Sequence, residues 1–389
     1  MADLSVTAHG ISFPNPFVIG SGPPGTNARV IAKAFDEGWG GVIAKTVCLE
    51  AEKIINVAPR YARMRAETSR EIYGWENIEL ISDRPFDTWI DEFRDLKATY
   101  PDQVLIASIM EEFNRDAWIE IVERTQATGV DGLELNFSCP HGLPERRMGA
   151  AMGQDPDVIA EVCSWVNDAA TIPVWAKMTP NITHIVDPAR AALAAGCDGI
   201  SAINTILSVM GINLDTLRPE PTVEGYSVPG GYSSKAIRPI ALRMVMELAT
   251  MMHGGNHGQP IPLNGQPASS GEFHDRTISA IGGVETGHDA AEYMLLGAHT
   301  VQVCTGVMKH GYQLIHTLRE QLDSFMARHE FETIDEFRGA SLPYFTTHAE
   351  LVRLQRDERA ARRQRAVVQQ DGDWEGERFV EQSAALSGN

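Results

Sequence analysis

The sequence predicts an α/β fold: a TIM (β/α)8 barrel with long active-end loops and a C-terminal helical extension. Three observations lead there. Short apolar, β-rich runs alternate with longer amphipathic segments from residue 16 to about 328, the pattern of parallel strands joined by helices. Eight such pairs can be counted, which suits a closed barrel better than an open sheet. Several helix-to-strand joins also repeat one form: Glu37-Gly38-Trp39-Gly40-Gly41, Thr128-Gly129-Val130-Asp131-Gly132, Ala195-Gly196-Cys197-Asp198-Gly199 and Leu296-Gly297-Ala298. Glycine there suits a left-handed helix cap feeding the next buried strand.

In chain order, strand Pro16–Gly20 leads to helix Ala28–Glu37, and strand Gly41–Lys45 to helix Phe86–Lys97. Strand Val104–Ser108 precedes helix Arg115–Thr128, and Gly132–Leu135 precedes Pro156–Ala169. Val174–Lys177 is followed by Pro188–Ala195, and Gly199–Ala202 by Pro239–Met251. Thr277–Ile281 with Gly287–Leu296, then Thr300–Val303 with Gly311–Arg328, complete the set. Two connections, Thr46 to Asp83 and Asn204 to Arg238, are too long for a minimal barrel. A third, His253 to Asp275, is a Gly/Pro/Asn/Ser-rich surface loop, and His253 and His257 lack nearby acidic residues, so no metal site is expected. The barrel takes residues 1–330, and residues 331–389 form an extension, helical and then loosely ordered.

Composition agrees with a large folded core. Of 389 residues, 43% are hydrophobic and 22% charged, which excludes disorder and a disulfide-dense scaffold. Lys and Arg total 33 against 52 Asp and Glu, a net charge of −19 that repels phosphate backbones and disfavours nucleic-acid binding. The N-terminus has neither a basic region nor an apolar run, and no long apolar stretch predicts a membrane span. The five cysteines are never closer than 24 residues, so a zinc finger or ferredoxin-type cluster within the chain is not expected. With an odd thiol count and no secretory signal, a reducing, cytoplasmic location is expected. The arginines between Arg353 and Arg365 belong to a solvated helix laced with Asp357 and Glu358, or to a docking surface for an acidic partner subunit.

In such a barrel, chemistry gathers at the C-terminal strand ends. The expected ends supply Ser21, Lys45-Thr46, Ser108, the run Asn136-Phe137-Ser138-Cys139-Pro140-His141-Gly142, Lys177, Asn204-Thr205, Gly282-Gly283 and Cys304-Thr305-Gly306. Any one of these polar groups is most simply a structurally paired residue; eight around one rim point to a site. Gly20-Ser21-Gly22-Pro23-Pro24-Gly25 matches a dinucleotide fingerprint, but its two prolines lack the N–H groups that fingerprint uses. A phosphate is better accommodated by Gly282, Gly283 and Gly306 with the Thr305 hydroxyl, which favours a phosphorylated ligand such as FMN. A lone cysteine is usually an inert small hydrophobe. Cys139 instead sits in a polar loop at the active end and is the best candidate for proton chemistry; Leu143 to Gly149 continues as a loop able to close over a substrate.

At these residues the chain resembles the dihydropyrimidine dehydrogenases, within the wider dihydroorotate dehydrogenase superfamily of FMN barrels. The likeness rests on Asn136 to Gly142, Ala176-Lys177-Met178-Thr179-Pro180-Asn181, Asn77-Ile78-Glu79-Leu80-Ile81-Ser82, Gly230-Gly231-Tyr232-Ser233, Ala236 to Leu242, and Val301-Gln302-Val303-Cys304. It implies FMN held by Ser21, Lys45, Thr46, Lys177, Asn204, Gly231, Gly282, Gly283, Cys304 and Thr305. It implies a pyrimidine held by Asn77, Glu79, Asn136, Ser138, Asn204 and Thr205. The implied reaction reduces the C5–C6 bond of uracil or thymine, with hydride from FMN N5 to C6 and a proton from Cys139 to C5. A thiol with an ordinary pKa of about 8.5 is protonated at neutral pH and so available as the acid. Members carry iron–sulfur clusters that this chain has no cysteine cluster to bind, so electrons from NAD(P)H or an iron–sulfur donor are expected only through a partner chain. A homo-oligomer is expected by analogy. Ser234 and Lys235 stand where the family commonly has glycine and a small residue. Alternatives are a dihydroorotate dehydrogenase, which the charge of Glu79 disfavours for its carboxylated substrate, a Schiff-base aldolase using Lys45 or Lys177, and a non-catalytic subunit.

Overall fold

The computed structural model describes residues 2–139, 148–254, 271–372, 382–383 and 386. Eight parallel strands close into a barrel: Phe17–Ile19, Gly41–Ile43, Val104–Ile109, Gly132–Asn136, Val174–Lys177, Gly199–Ala202, Thr277–Ile281 and Thr300–Val303. Each pairs with its sequence neighbour, and the last closes on the first through Val301–Phe17, Gln302–Val18 and Val303–Ile19. These are near-continuous runs of Val, Ile, Leu and Ala because both faces of the sheet are covered. Large buried side chains, among them Trp39, Trp89, Trp118, Phe93 and Tyr293, fill the layer between barrel and helices. A hairpin of Val6–Ala8 and Ile11–Phe13 precedes the first strand and contributes Val6, Ala8 and Phe13 to the core.

The helices follow the expected alternation. Asn27, Asn114 and Asp155 cap Ala28–Glu37, Arg115–Gln126 and Pro156–Ala169 through side-chain oxygens, and Thr286 with Asp289 forms a capping box on Gly287–Leu295. The last expected helix, Gly311–Arg328, is present as Leu314–Arg328, and a short helix not expected from the sequence, Thr305–His310, precedes it; Gly311, with a left-handed φ of 80°, turns the chain between the two.

The two long connections hold strands that local patterning did not predict. Tyr61–Arg65 and Ile72–Asn77 come from the first, and Ile206–Ser208 and Gly230–Ser233 from the second. They form one antiparallel sheet, in which Gly230–Ser233 pairs with both Ile206–Ser208 and Ile72–Asn77. Glu76 ties the insertions together. Its buried carboxylate accepts from Ser208 Oγ at 2.9 Å, Met210 N at 3.0 Å and Gly230 N at 3.1 Å. The cost of burying that charge is offset by three donors rather than by a cation.

Beyond the last barrel helix, Ile334, Phe337 and Leu342 join the main core, and Gly339 and Ser341 donate to the carbonyls of Met294 and Leu295. Helix His348–Gly372 follows. Arg353 pairs with Glu350 and Asp357, and Arg362 with Glu358, on a fully exposed face, as a solvated, charge-laced helix requires. Parts of three expectations, at Pro140 to Arg147, at His257 and its loop, and in the tail after Gly372, lie outside the described residues.

Glu76→Ala strands three donors, one of them on a buried strand, and is expected to cost about 1–3 kcal/mol. Hydrogen exchange checks this: residues 206–233 should exchange faster while the barrel strands keep their protection, and uniform loss of protection would contradict the role given to Glu76.

Candidate active site

The strand ends surround an open cavity of about 130 Å³. The insertion sheet overhangs it with Tyr61, Trp75, Asn77 and Ser233. Of the residues singled out in the sequence, Ser21, Lys45, Thr46, Asn77, Glu79, Asn136, Cys139, Lys177, Asn204, Thr205, Gly282, Gly283, Cys304 and Thr305 all line it. Ser138 and Gly231 do not. Each is buried and acts on a lining neighbour: Gly231 accepts from Asn77 Nδ2 at 3.3 Å, and Ser138 bridges two asparagines.

That bridge orders one wall. Asn136 is the last residue of its strand, which fixes its carboxamide at the rim. Its Nδ2 donates to Thr46 Oγ1 at 2.9 Å, and its Oδ1 accepts from both Ser138 N and Ser138 Oγ at 3.0 Å. Ser138 Oγ in turn accepts from Asn204 Nδ2 at 2.8 Å, and Asn204 Oδ1 accepts from Thr205 N at 2.8 Å. Thr46 continues the chain to Ser108 at 2.8 Å and Ser21 at 3.2 Å. Two strands, through Ser108 and Asn136, and the loops after the first, second, fourth and sixth strands are thus locked together by hydroxyls and amides, and neither carboxamide is free to flip.

Two lysines stand at the cavity, each against a carboxylate. Lys45 Nζ lies 3.0 Å from Glu79, which also accepts from Arg60 Nη1 at 2.9 Å and Tyr61 OH at 3.0 Å. Burial, then the Glu79 charge, pushes the Tyr61 hydroxyl well up, so it stays a neutral donor. The expectation that Glu79 repels a carboxylated pyrimidine is corrected here: two cations already match its charge. Lys177 Nζ lies 3.1 Å from both Glu134 Oε1 and Gln302 Oε1. Ion-paired ammonium groups are poor nucleophiles, which counts against the aldolase alternative.

Cys139 is on the cavity wall and nearly buried, 7% exposed, in a small cluster with Cys48, Ile54, Ile81, Met110 and Met148. Cys304, across the rim, has its thiol pushed up to about 11 by burial, against the pull of Lys177 and Lys45, and is neutral at physiological pH.

The opposite end has the form of an anion cradle. Gly283 takes a left-handed φ of 71° and packs so closely that a Cβ would meet the Ser234 carbonyl oxygen at 2.7 Å. Ser233 Oγ and Thr305 Oγ1 lie 3.0 Å apart beside it. Ser234, noted as a departure from glycine, keeps a glycine-like φ of 76° with its hydroxyl on Glu285 at 3.3 Å. Lys235 pairs with Glu71 and does not line the cavity. The buried Nε1 of Trp75, by contrast, has no hydrogen-bond partner within the protein while its ring lines the cavity. A phosphate cradle at one end, ammonium groups along the floor and an unmet donor in the wall fit FMN.

Sequence reasoning missed Tyr61, Trp75, Glu134, Gln302 and Ser233. For Glu134 and Gln302 a signal existed: each is a polar residue within a strand buried on both faces, Leu133-Glu134-Leu135 and Val301-Gln302-Val303, and had to find a partner inside the barrel.

Comparison with known proteins agrees with this geometry. The dihydroorotate dehydrogenase family model matches residues 3–256 and 272–326. The chain is 58% identical over 393 aligned positions to "Dihydropyrimidine dehydrogenase (NADP(+)), chloroplastic" of Arabidopsis thaliana, covering 100% of this chain and 88% of that protein. It is 40% identical to the "NAD-dependent dihydropyrimidine dehydrogenase subunit PreA" of Escherichia coli K12, covering 87% of this chain and 76% of that protein. Identity falls to 31% against the dihydroorotate dehydrogenase B catalytic subunit of Pyrococcus abyssi, over 87% of this chain and 99% of that protein. Among solved structures, the ligand-free dihydroorotate dehydrogenase of Eimeria tenella superposes with a TM-score of 0.69 at 20% identity, covering 88% of this chain and 92% of that one. No described helix is long and apolar enough to cross a membrane. The expected cytoplasmic location gains no support from the Arabidopsis relative, whose name places that protein in the chloroplast. With both stretches of the family model accounted for, the chain belongs to the dihydroorotate dehydrogenase family.

Proposed function

We propose that this chain is an FMN-dependent dihydropyrimidine dehydrogenase acting on the C5–C6 bond of uracil and thymine. The observation that carries the proposal is full-length identity of 58% to a relative so named, set beside a cavity wall that presents both bridged asparagines and Cys139. A pyrimidine edge displays amide-like donors and acceptors; the fixed carboxamide of Asn204 keeps one N–H and one lone pair for that edge, and Asn136, whose Oδ1 already accepts twice, keeps one N–H. Asn77 and Thr205 add polar groups from the overhanging sheet and the sixth strand end.

Gly282, Gly283, Ser233 and Thr305 would hold the FMN phosphate, with Ser21, Thr46, Lys45 and Lys177 along the ring system. Bound FMN would supply hydride to C6 of the substrate. The Cys139 Sγ–H gives its proton to C5, and in the oxidative direction the same sulfur takes the proton back. The apolar cluster around Cys139 keeps water from the transferred proton, and Lys177 offers fixed positive charge where electron density accumulates.

The reading includes a partner. The E. coli and P. abyssi relatives are named as subunits, and the names of all three relatives specify NAD(+) or NADP(+). The five cysteines are never closer than 24 residues in sequence and offer no cluster-binding motif, so NAD(P)H or iron–sulfur electrons would arrive through another chain.

Two outcomes test the site. In dye-linked oxidation of dihydrouracil, Cys139→Ser should lower kcat by about 10²–10⁴-fold with FMN still bound; undiminished turnover would sink catalysis by this loop and favour a non-catalytic subunit. Ser138→Ala removes the bridge between the asparagines without touching the cavity surface. It should raise KM for dihydrouracil several-fold more than it lowers kcat, and an unchanged KM would contradict the positioning of Asn136 and Asn204.

A further inference from the structure

Beneath the cavity floor the barrel interior holds a carboxylate, Glu134, that the reaction does not directly use, paired with Lys177. Lys177 and Glu134 have side chains only 4% and 1% exposed, and they meet at 3.1 Å between the fifth and fourth strands. Burying two charges is costly and is rarely repaid in stability alone. A hydrophobic pair would fill this layer of the barrel as well, so the charges call for another explanation.

Gln302, fully buried on the eighth strand, makes the arrangement unambiguous. Its Nε2 lies 3.0 Å from Glu134 Oε2, 3.2 Å from Ser201 Oγ and 2.9 Å from Ser279 Oγ. A carboxylate only accepts, so the amide nitrogen must face Glu134, and Oε1 is left to accept from Lys177. Two of the three ammonium N–H groups are thereby engaged below the floor, one by a full negative charge and one by a dipole. The third remains for the cavity, which Lys177 lines.

We propose that Glu134 and Gln302 are positioning residues that set how much positive charge Lys177 presents to the bound flavin, and so set its reduction potential. This rests on the FMN reading above. The reduced cofactor carries more negative charge than the oxidised one, so a cation at the floor favours it, and Glu134 tempers that preference through a dry contact at 3.1 Å. Gln302 holds the Glu134 carboxylate and the Lys177 ammonium in line, which a fourth-strand glutamate alone would not.

The test is the midpoint potential of FMN bound to the full chain, with circular dichroism and FMN titration as folding controls. Glu134→Gln removes the countercharge while keeping the shape. It should favour reduced over oxidised FMN about tenfold more strongly than wild type does, an upward shift of about 30 mV. Lys177→Met should shift the potential downward. If Glu134→Gln does not fold, Glu134→Asp, which draws the carboxylate back, should shift it upward by less. An unchanged or lowered potential in either folded Glu134 variant overturns the proposal, because a purely structural pair would alter melting and leave the potential in place. Failure of the wild-type chain to bind FMN would overturn the functional reading itself. FMN binding with dihydrouracil turnover but no shift would overturn only this inference.

Discussion

Closing eight parallel strands into a barrel sends every strand's carboxyl end to one rim, and the rest of this molecule follows from that constraint. Ser21, Lys45, Asn136, Lys177, Asn204, Gly282 and Thr305 are brought around a single cavity because each stands at or just beyond the end of a buried apolar run. The barrel interior has no solvent to satisfy polar groups, so those that enter it are committed to one another. The Lys177–Glu134–Gln302 set and the Ser21–Thr46–Asn136–Ser138–Asn204 chain are the two results. The first lies under the floor and carries charge. The second lies in the wall and carries orientation.

The insertions add what a minimal barrel lacks, a wall over the open end. Their strands pair with each other rather than with the barrel, and Glu76 joins them by accepting three hydrogen bonds. Asn77 follows directly in sequence, so the residue that fixes the sheet and the residue that faces the cavity are neighbours on opposite faces of one strand. Tyr61 reaches the cavity from the same sheet, and with Arg60 just before its strand it shares Glu79 with Lys45. The charge balance of the site is thus distributed between barrel and insertion, with one cation from each on Glu79.

Much of this was legible in the sequence because barrel strands are local signals. Val174–Lys177, Gly199–Ala202, Thr277–Ile281 and Thr300–Val303 are read at their observed bounds, since continuous apolar runs between glycine-capped helices admit little else. The polar residue at each end was legible for the same reason. The insertion sheet was not: its strands have only 3 to 6 residues, and the pairing that joins the two insertions, Gly231 with Asn77, spans 154 positions that no local period records. The short helix Thr305–His310 was not legible either: it directly follows the eighth strand end and has only 6 residues. The charge argument drawn from Glu79 failed because its partners, Arg60 in the long connection and Lys45 at the second strand end, meet it only in the folded chain.

The central claim is that this cavity oxidises and reduces a pyrimidine without a carboxylate, and anaerobic absorbance of the FMN-loaded chain tests it most directly. The account predicts that dihydrouracil bleaches the flavin band and that dihydroorotate leaves it largely intact. A flavin band unaffected by dihydrouracil, or bleached faster by dihydroorotate, would contradict it.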